Sequence, residues 1–101
     1  MIVVVGRVRA DPDKREALIG LGQTVAQASR GEAGCIGYRL CEDTETENDF
    51  VFIEEWASEE ALQAHFTTPH IAAFMQAFPA CSSRRRRSAS TLSRAPGTSA
   101  T

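Results

Sequence analysis

The chain has 101 residues, of which 43% are apolar and 24% are charged, and its formal net charge is −2 at pH 7. That length holds one small domain, which excludes a multidomain enzyme. Since no apolar run approaches the roughly 20 residues that cross a bilayer, we expect a cytoplasmic protein with no membrane partner.

Charge is distributed unevenly along the chain. All 13 acidic residues precede position 80, so residues 1–79 carry a formal charge of −7 and residues 80–101 carry +5. Contacts to phosphate groups need a basic surface. We therefore do not expect the acidic part of the chain to bind nucleic acid.

The first predicted element is a strand over residues 2–9, where β-branched side chains predominate. Asp11 can cap a following helix, and Pro12 suits its first position. Apolar residues then recur at steps of three and four, which predicts a helix over residues 12–30 that ends in a glycine-rich connection.

Two further strands are predicted, with an acidic connection between them. Residues 35–42 alternate in character, which places Ile36, Tyr38 and Leu40 on one face. Residues 50–57 form the third strand. Because the connection is short and polar, we expect the two strands to pair antiparallel.

The last helix is predicted in two parts. Ser58 caps the first part, and acidic residues follow in its first turn. Thr68 and Pro69 start the second part, in which apolar residues repeat at helical spacing as far as Phe78. The predicted order is β-α-β-β-α, an α+β domain over residues 1–79.

Residues 80–101 differ in composition from the rest of the chain. They contain no aromatic residue, four consecutive arginines at 84–87, and Leu92 as the one large aliphatic residue. Such a segment cannot bury enough apolar surface to order itself, so a disordered Arg/Ser-rich tail is predicted. It could bind acidic partners or lipids, or be phosphorylated at Ser88. Its abrupt start is also typical of translation in a shifted reading frame.

The sequence shows no motif for a nucleotide or a metal. It lacks a phosphate-binding loop, and its three cysteines and two histidines are not at ligand spacing. We therefore predict no metal site and no cofactor, and we expect the cysteines to be reduced.

His65 is the main candidate for chemistry, because it shares the apolar face of its predicted helix with Leu62 and Phe66. A neutral imidazole in a cavity can accept a proton near pH 7, as a general base must. The alternative is a core histidine that is hydrogen-bonded to a backbone carbonyl. His70, one residue past Pro69, is expected to be exposed.

The third strand places Phe50, Phe52, Glu54 and Trp56 on one face. If Glu54 is buried, its pKa is raised and it can exchange protons, whereas an exposed Glu54 is an ordinary acid. Trp56 can stack on a planar ligand or belong to the core.

Several segments carry a family resemblance through their order and spacing. They are Ile-Val-Val-Val at 2–5, Ala-Ser-Arg-Gly-Glu-Ala-Gly-Cys at 28–35, Gly37-Tyr38, Phe-Val-Phe-Ile-Glu-Glu-Trp at 50–56, Ala64-His65, Pro69-His70 and Phe74. Over about residues 2–79 the sequence resembles the antibiotic biosynthesis monooxygenase family of dimeric α/β barrels, and small quinol monooxygenases in particular.

The resemblance implies a ferredoxin-like β-α-β-β-α-β protomer with an antiparallel sheet, which packs against that of a second copy in a homodimer. It also implies that a small phenol or hydroquinone is oxidised by O2 with no metal or flavin cofactor. By matching position, His65 would be the base, Trp56 would form a wall of the pocket, and Tyr38 or Glu54 would orient the substrate.

The sequence departs from the family at its end. Members finish with a β-branched strand, so we predict that the last strand is replaced here by the basic tail. The haem-degrading branch uses an asparagine in the first strand, which is absent from residues 2–9, so haem degradation is disfavoured. Since a fold does not define an activity, the alternative function is a non-catalytic ligand-binding or dimerisation module in which His65 and Trp56 are packing residues.

Overall fold

The computed structural model describes residues 1–83 and the backbone of residues 89–94. Four strands form an antiparallel sheet in the order β2-β3-β1-β4, and the helices pack on one face of it. The elements in chain order are β1 (Ile2–Arg9), a 3-10 turn (Pro12–Lys14), α1 (Arg15–Arg30), β2 (Cys35–Glu42), β3 (Asp49–Trp56), α2 (Glu59–His65), α3 (Pro69–Ala77), a second 3-10 turn (Phe78–Ala80) and β4 (Ala89–Arg94).

The predicted helix starts are confirmed by their caps. The Asp11 carboxylate accepts a hydrogen bond from the Asp13 amide, and the chain enters α1 through a 3-10 turn. Ser58 Oγ accepts from the Ala61 amide at 3.1 Å and starts α2. Thr68 Oγ1 accepts in the same way at the start of α3. Each cap satisfies an amide that has no partner inside its helix.

The predicted antiparallel pairing of β2 with β3 is confirmed, but one residue lies on the other face. The register shifts between Cys35 and Gly37, which marks a bulge. A bulge changes the alternation of side chains. Ile36 is consequently 56% exposed, whereas Tyr38 is buried. The prediction that the two share a face is therefore wrong.

The prediction that the basic tail replaces the last strand is wrong for residues 89–94. β4 pairs antiparallel with β1, so that Gly6 has Phe52 as its partner on one side and Ser90 on the other. Ladder bonds use backbone groups, so a segment with one β-branched side chain, that of Thr91, can still cover the free edge of β1. The predicted disorder of the remaining tail concerns residues 84–88 and 95–101, which lie outside the described residues.

The packed chain also continues past residue 79. Cys81 is buried, and its carbonyl accepts a hydrogen bond from the Asp11 amide at 2.8 Å. Ala10 and Ser82 form an isolated antiparallel bridge. The three cysteines are free, as predicted.

The main core lies between the sheet and the helices. Trp56 and Phe52 of β3 and Tyr38 of β2 contribute its aromatic side chains from the sheet, and Phe74 adds another from α3. Phe52 and Phe74 meet edge to face with ring centroids 5.4 Å apart. No helix among residues 1–83 has the length and apolar character needed to span a membrane.

Candidate active site

A cavity of about 450 Å³ lies between the helix-facing side of the sheet and helices α2 and α3. Its walls are mostly aliphatic and aromatic side chains from β1, β3, α2 and α3. The lining residues that carry polar groups are Tyr38, Glu54, Glu59, Gln63 and His65. Such a mixture, with few polar groups in an apolar wall, is typical of small-molecule sites.

Strand β1 supplies the floor of this cavity. Side chains alternate along a strand, so positions 4, 6 and 8 face the helices together. Val4, Gly6 and Val8 all line the cavity, and the residue without a side chain stands in the middle. We infer that Gly6 leaves open the space that a larger residue would fill.

His65 is confirmed as an inward residue, with 1% of its side chain exposed. Its Nδ1 lies 2.7 Å from Glu32 Oε2. An ionised carboxylate only accepts hydrogen bonds, so a neutral His65 beside it carries its proton on Nδ1 and its lone pair on Nε2. Nε2 is buried and has no hydrogen-bond partner among the described residues. The histidine therefore presents an unused acceptor in a residue that lines the cavity.

Glu32 reaches His65 because the connection from α1 to β2 lies directly against α2. Gly34 has φ = 84°, a conformation that favours glycine. A Cβ atom at Gly34 would lie 2.5 Å from the Cβ of Ala61 in α2. The Ala57 amide also donates to the Gly34 carbonyl at 2.8 Å, which fixes the connection to the end of β3.

His70 approaches the same carboxylate from α3. Its Nε2 lies 2.6 Å from Glu32 Oε2, and its side chain is 24% exposed. Thr68 joins the two helices, since its Oγ1 donates to the His65 carbonyl at 2.7 Å. The prediction that His70 is simply an exposed first-turn residue is wrong.

Glu32, His65 and His70 could hold a metal ion, because one ligand atom from each lies within 4.8 Å of the others. Two imidazoles and a carboxylate are a donor set that transition metals accept. The sequence-based view that no such cluster exists overlooked Glu32. In the sequence, the position of Glu32 in the glycine-rich connection between a helix and a strand is the only feature that marks this residue.

Trp56 lies behind the cavity and does not form its wall. It is fully buried, its ring centroid is 4.7 Å from that of His65, and its Nε1 donates to Glu54 Oε1 at 3.0 Å. The structure therefore places Trp56 as a support for two lining residues. The expected stacking of Trp56 on a ligand does not match this position.

Tyr38 and Glu54 both line the cavity and lie close together. Burial raises the pKa of Glu54, and the hydrogen bond from Trp56 and the nearby His65 oppose that shift. Burial and the neighbouring Glu54 raise the pKa of Tyr38, which keeps its hydroxyl protonated. Burial and the Glu32 carboxylate likewise raise the pKa of the Cys35 thiol.

Residues 1–77 match the model of the family described as antibiotic biosynthesis monooxygenase. The chain belongs to this family. The family that the resemblance over residues 2–79 predicted is thereby confirmed. The chain is 44% identical over 78 residues to the uncharacterised protein sll1783 of Synechocystis sp., with 77% of this chain covered. It spans about half the length of that relative, 53%.

A second relative has a name that refers to an activity, and a third protein similar to this chain has a solved structure. The chain is 30% identical over 87 residues to YgiN of Escherichia coli, which is named a probable quinol monooxygenase, with 76% of this chain and 84% of YgiN covered. It superimposes on the structure of Rv0793 from Mycobacterium tuberculosis with a TM-score of 0.87 at 26% identity, with 97% of each chain covered. The predicted ferredoxin-like α+β fold is confirmed, and the homodimeric barrel stays a prediction.

Proposed function

We propose that this member of the antibiotic biosynthesis monooxygenase family oxidises a small phenol or hydroquinone with O2, and that His65 is the general base. One observation carries the proposal. His65 lines an apolar cavity, has its Nδ1 held by Glu32, and has a buried Nε2 without a partner among the described residues. A substrate hydroxyl that entered the cavity would satisfy that nitrogen.

The first step is a proton transfer. His65 Nε2 takes the proton of a phenolic hydroxyl, and Glu32 stabilises the resulting imidazolium through Nδ1. The phenolate that remains is electron-rich and reduces O2. The apolar wall excludes water, which strengthens the interaction between the new anion and the imidazolium.

The substrate itself can supply every electron. One molecule of a hydroquinone and one of O2 give one molecule of a hydroxyquinone and one of water. One oxygen atom of O2 forms a bond to a ring carbon, and the other leaves as water with two hydrogens of the substrate. The ring loses four electrons, which is the number that O2 accepts, so the balance requires no flavin or metal.

Cavity size and polarity support this class of substrate. About 450 Å³ accommodates a small aromatic molecule, and the apolar walls suit a flat ring. Glu54 and Tyr38 provide hydrogen-bonding groups for a second oxygen of the ring, on the same side of the sheet as His65. The name of the relative YgiN as a probable quinol monooxygenase points to the same chemical class.

Oxygen uptake tests the proposal. Chelator-treated protein is mixed with a panel of hydroquinones, and dissolved O2 is followed for the wild type, His65→Ala and His65→Gln. Glu60→Gln is the control, because Glu60 is exposed on the same helix and does not line the cavity. Loss of one catalytic base costs about 10²–10⁴-fold in rate, so both His65 variants should lose uptake while Glu60→Gln keeps it.

Circular dichroism and cooperative unfolding establish that each variant is folded. Uptake that persists in folded His65→Gln would remove His65 from the mechanism. A folded wild type that binds hydroquinones without consuming O2 would replace the enzyme by the alternative, a ligand-binding module.

A further inference from the structure

We propose that Glu32, His65 and His70 form a binding site for one Zn²⁺ ion. The site shares Glu32 and His65 with the catalytic proposal but does not rest on it, because a metal can bind there whether or not the chain oxidises anything. The donors are Oε2 of Glu32, Nδ1 of His65 and Nε2 of His70. Two histidines with one carboxylate are the protein ligands of several catalytic zinc sites, which leave a fourth position for water.

The directions of the two rings favour a single ion. Both ring nitrogens are hydrogen-bonded to the same oxygen atom, at 2.7 Å and 2.6 Å, so their bonding directions converge on one point. Zn–N and Zn–O bonds measure about 2.0–2.2 Å, which places tetrahedral ligands about 3.3 Å apart. An ion at the point of convergence therefore requires the Glu32 carboxylate to withdraw while the rings keep their directions.

Local contacts already hold together the elements that carry the three ligands. Thr68 ties the last residue of α2 to the start of α3, through its bonds to the His65 carbonyl and the Ile71 amide. The close approach of Gly34 to Ala61 holds the Glu32 connection against α2. Ligands on elements held in this way lose little freedom on binding.

Burial of the ligands suits a partly open site. The His65 side chain is 1% exposed, that of Glu32 12% and that of His70 24%. The metal therefore reaches the site from the side of His70, and its open coordination position faces that side. Imidazole and carboxylate ligands of this kind suit Zn²⁺, whereas Mg²⁺ and Ca²⁺ prefer oxygen alone.

The test is a metal-binding titration of untagged, metal-free protein. Zn²⁺ is added in competition with a chromophoric chelator, and Co²⁺ serves as a second probe because its visible spectrum reports coordination. We expect one ion per chain. Glu32→Gln and His70→Ala should weaken binding by more than the roughly 10–100-fold that loss of an outer-shell partner costs.

Two matched controls isolate the site. Glu60→Gln makes the same change as Glu32→Gln at an exposed position. Cys35→Ser removes the thiol next to the connection, since the Cys35 amide donates to the Glu32 carbonyl. Both controls should bind Zn²⁺ as the wild type does, and the Co²⁺ spectrum should lack a sulfur-to-metal band.

Three results would overturn the proposal. They are a wild type that does not bind Zn²⁺, unchanged affinity in both Glu32→Gln and His70→Ala, and loss of binding in Cys35→Ser. Since the chain has only two histidines, any imidazole-dependent binding must involve the proposed ligands. None of these results depends on turnover, so the zinc site and the catalytic proposal can fail separately.

Discussion

Gly34→Ala should destabilise the protein strongly, because two features of the structure oppose a side chain at this position. The residue has φ = 84°, which L side chains rarely adopt, and an added Cβ would lie 2.5 Å from the Cβ of Ala61. Ala61 belongs to α2, which also carries His65. The connection and the helix would have to move apart.

The two penalties set the magnitude. A non-glycine residue in the left-handed region costs about 1–2 kcal/mol. Forcing an extra methyl group into a packed contact costs typically about 1–3 kcal/mol. We therefore expect Gly34→Ala to lose about 2–5 kcal/mol of unfolding free energy, which for a domain of this size lowers Tm by at least ~8 °C.

Gly20→Ala is the matched control for this measurement. Gly20 lies within α1, and apart from its chain neighbours and the backbone of its own helix, no atom of the described residues lies within 4 Å of the position of an added Cβ. In a helix interior, alanine is about 0.5–1 kcal/mol more favourable than glycine, so Gly20→Ala should be more stable than the wild type. Urea and thermal unfolding measure both variants. If Gly34→Ala unfolds at the midpoint of the wild type, the close contact between Gly34 and Ala61 does not exist in solution.

Two further predictions concern the cavity. Gly6→Leu places a side chain on the floor of the cavity and should weaken hydroquinone binding roughly tenfold or more, a loss of about 1.4 kcal/mol. Equilibrium binding measurements that show an unchanged affinity would contradict this prediction. Because burial raises the pKa of Glu54, the folded chain binds its proton more tightly than the unfolded chain does. The unfolding free energy of the wild type should therefore fall, relative to that of Glu54→Gln, as the pH rises from the ordinary glutamate pKa of 4.5 through the raised pKa. Unfolding free energies of the two proteins that run parallel across that range would contradict this prediction.

The elements of the fold were predictable because their signals are local. β-Branched runs, polar caps and apolar spacing each act within a few residues, and they placed β1 over 2–9 and β2 over 35–42 as observed. The predicted third strand, 50–57, is displaced by one residue from Asp49–Trp56. Such boundaries depend on which backbone groups find a partner, which composition alone does not define.

The contacts of the site were not predictable in the same way, because they join distant parts of the chain. Glu32 and His65 are 33 residues apart, and His70 meets Glu32 across 38 residues. The alternation of β3 placed Glu54 on the same face as Phe52 and Trp56, but it left open whether Glu54 is buried. It could not show that Trp56 lies behind Glu54 and not beside a ligand, since both positions belong to the same face.

Strand β4 likewise could not be predicted from its own residues. The segment Ala89–Arg94 has few of the residues that favour strands, so its sequence predicts none. Its position is explained by its partner, because β1 would otherwise present a row of unpaired backbone groups at the sheet edge. The need for a partner at the edge of β1 arises only once the sheet has assembled, so it cannot be recognised in the sequence of residues 89–94.

The two proposed uses of His65 exclude each other, because they require the ring proton on different nitrogens. As a base, the imidazole keeps its proton on Nδ1, where Glu32 accepts it, and uses the lone pair of Nε2. With Zn²⁺ on Nδ1, the neutral ring carries its proton on Nε2, which then donates and cannot accept. The tautomer that removes a substrate proton is thus the one without metal, and for this reason oxygen uptake must be measured on chelator-treated protein. If both proposals are correct, the same Glu32 oxygen that orients the base is also a ligand of the ion that takes the base out of use.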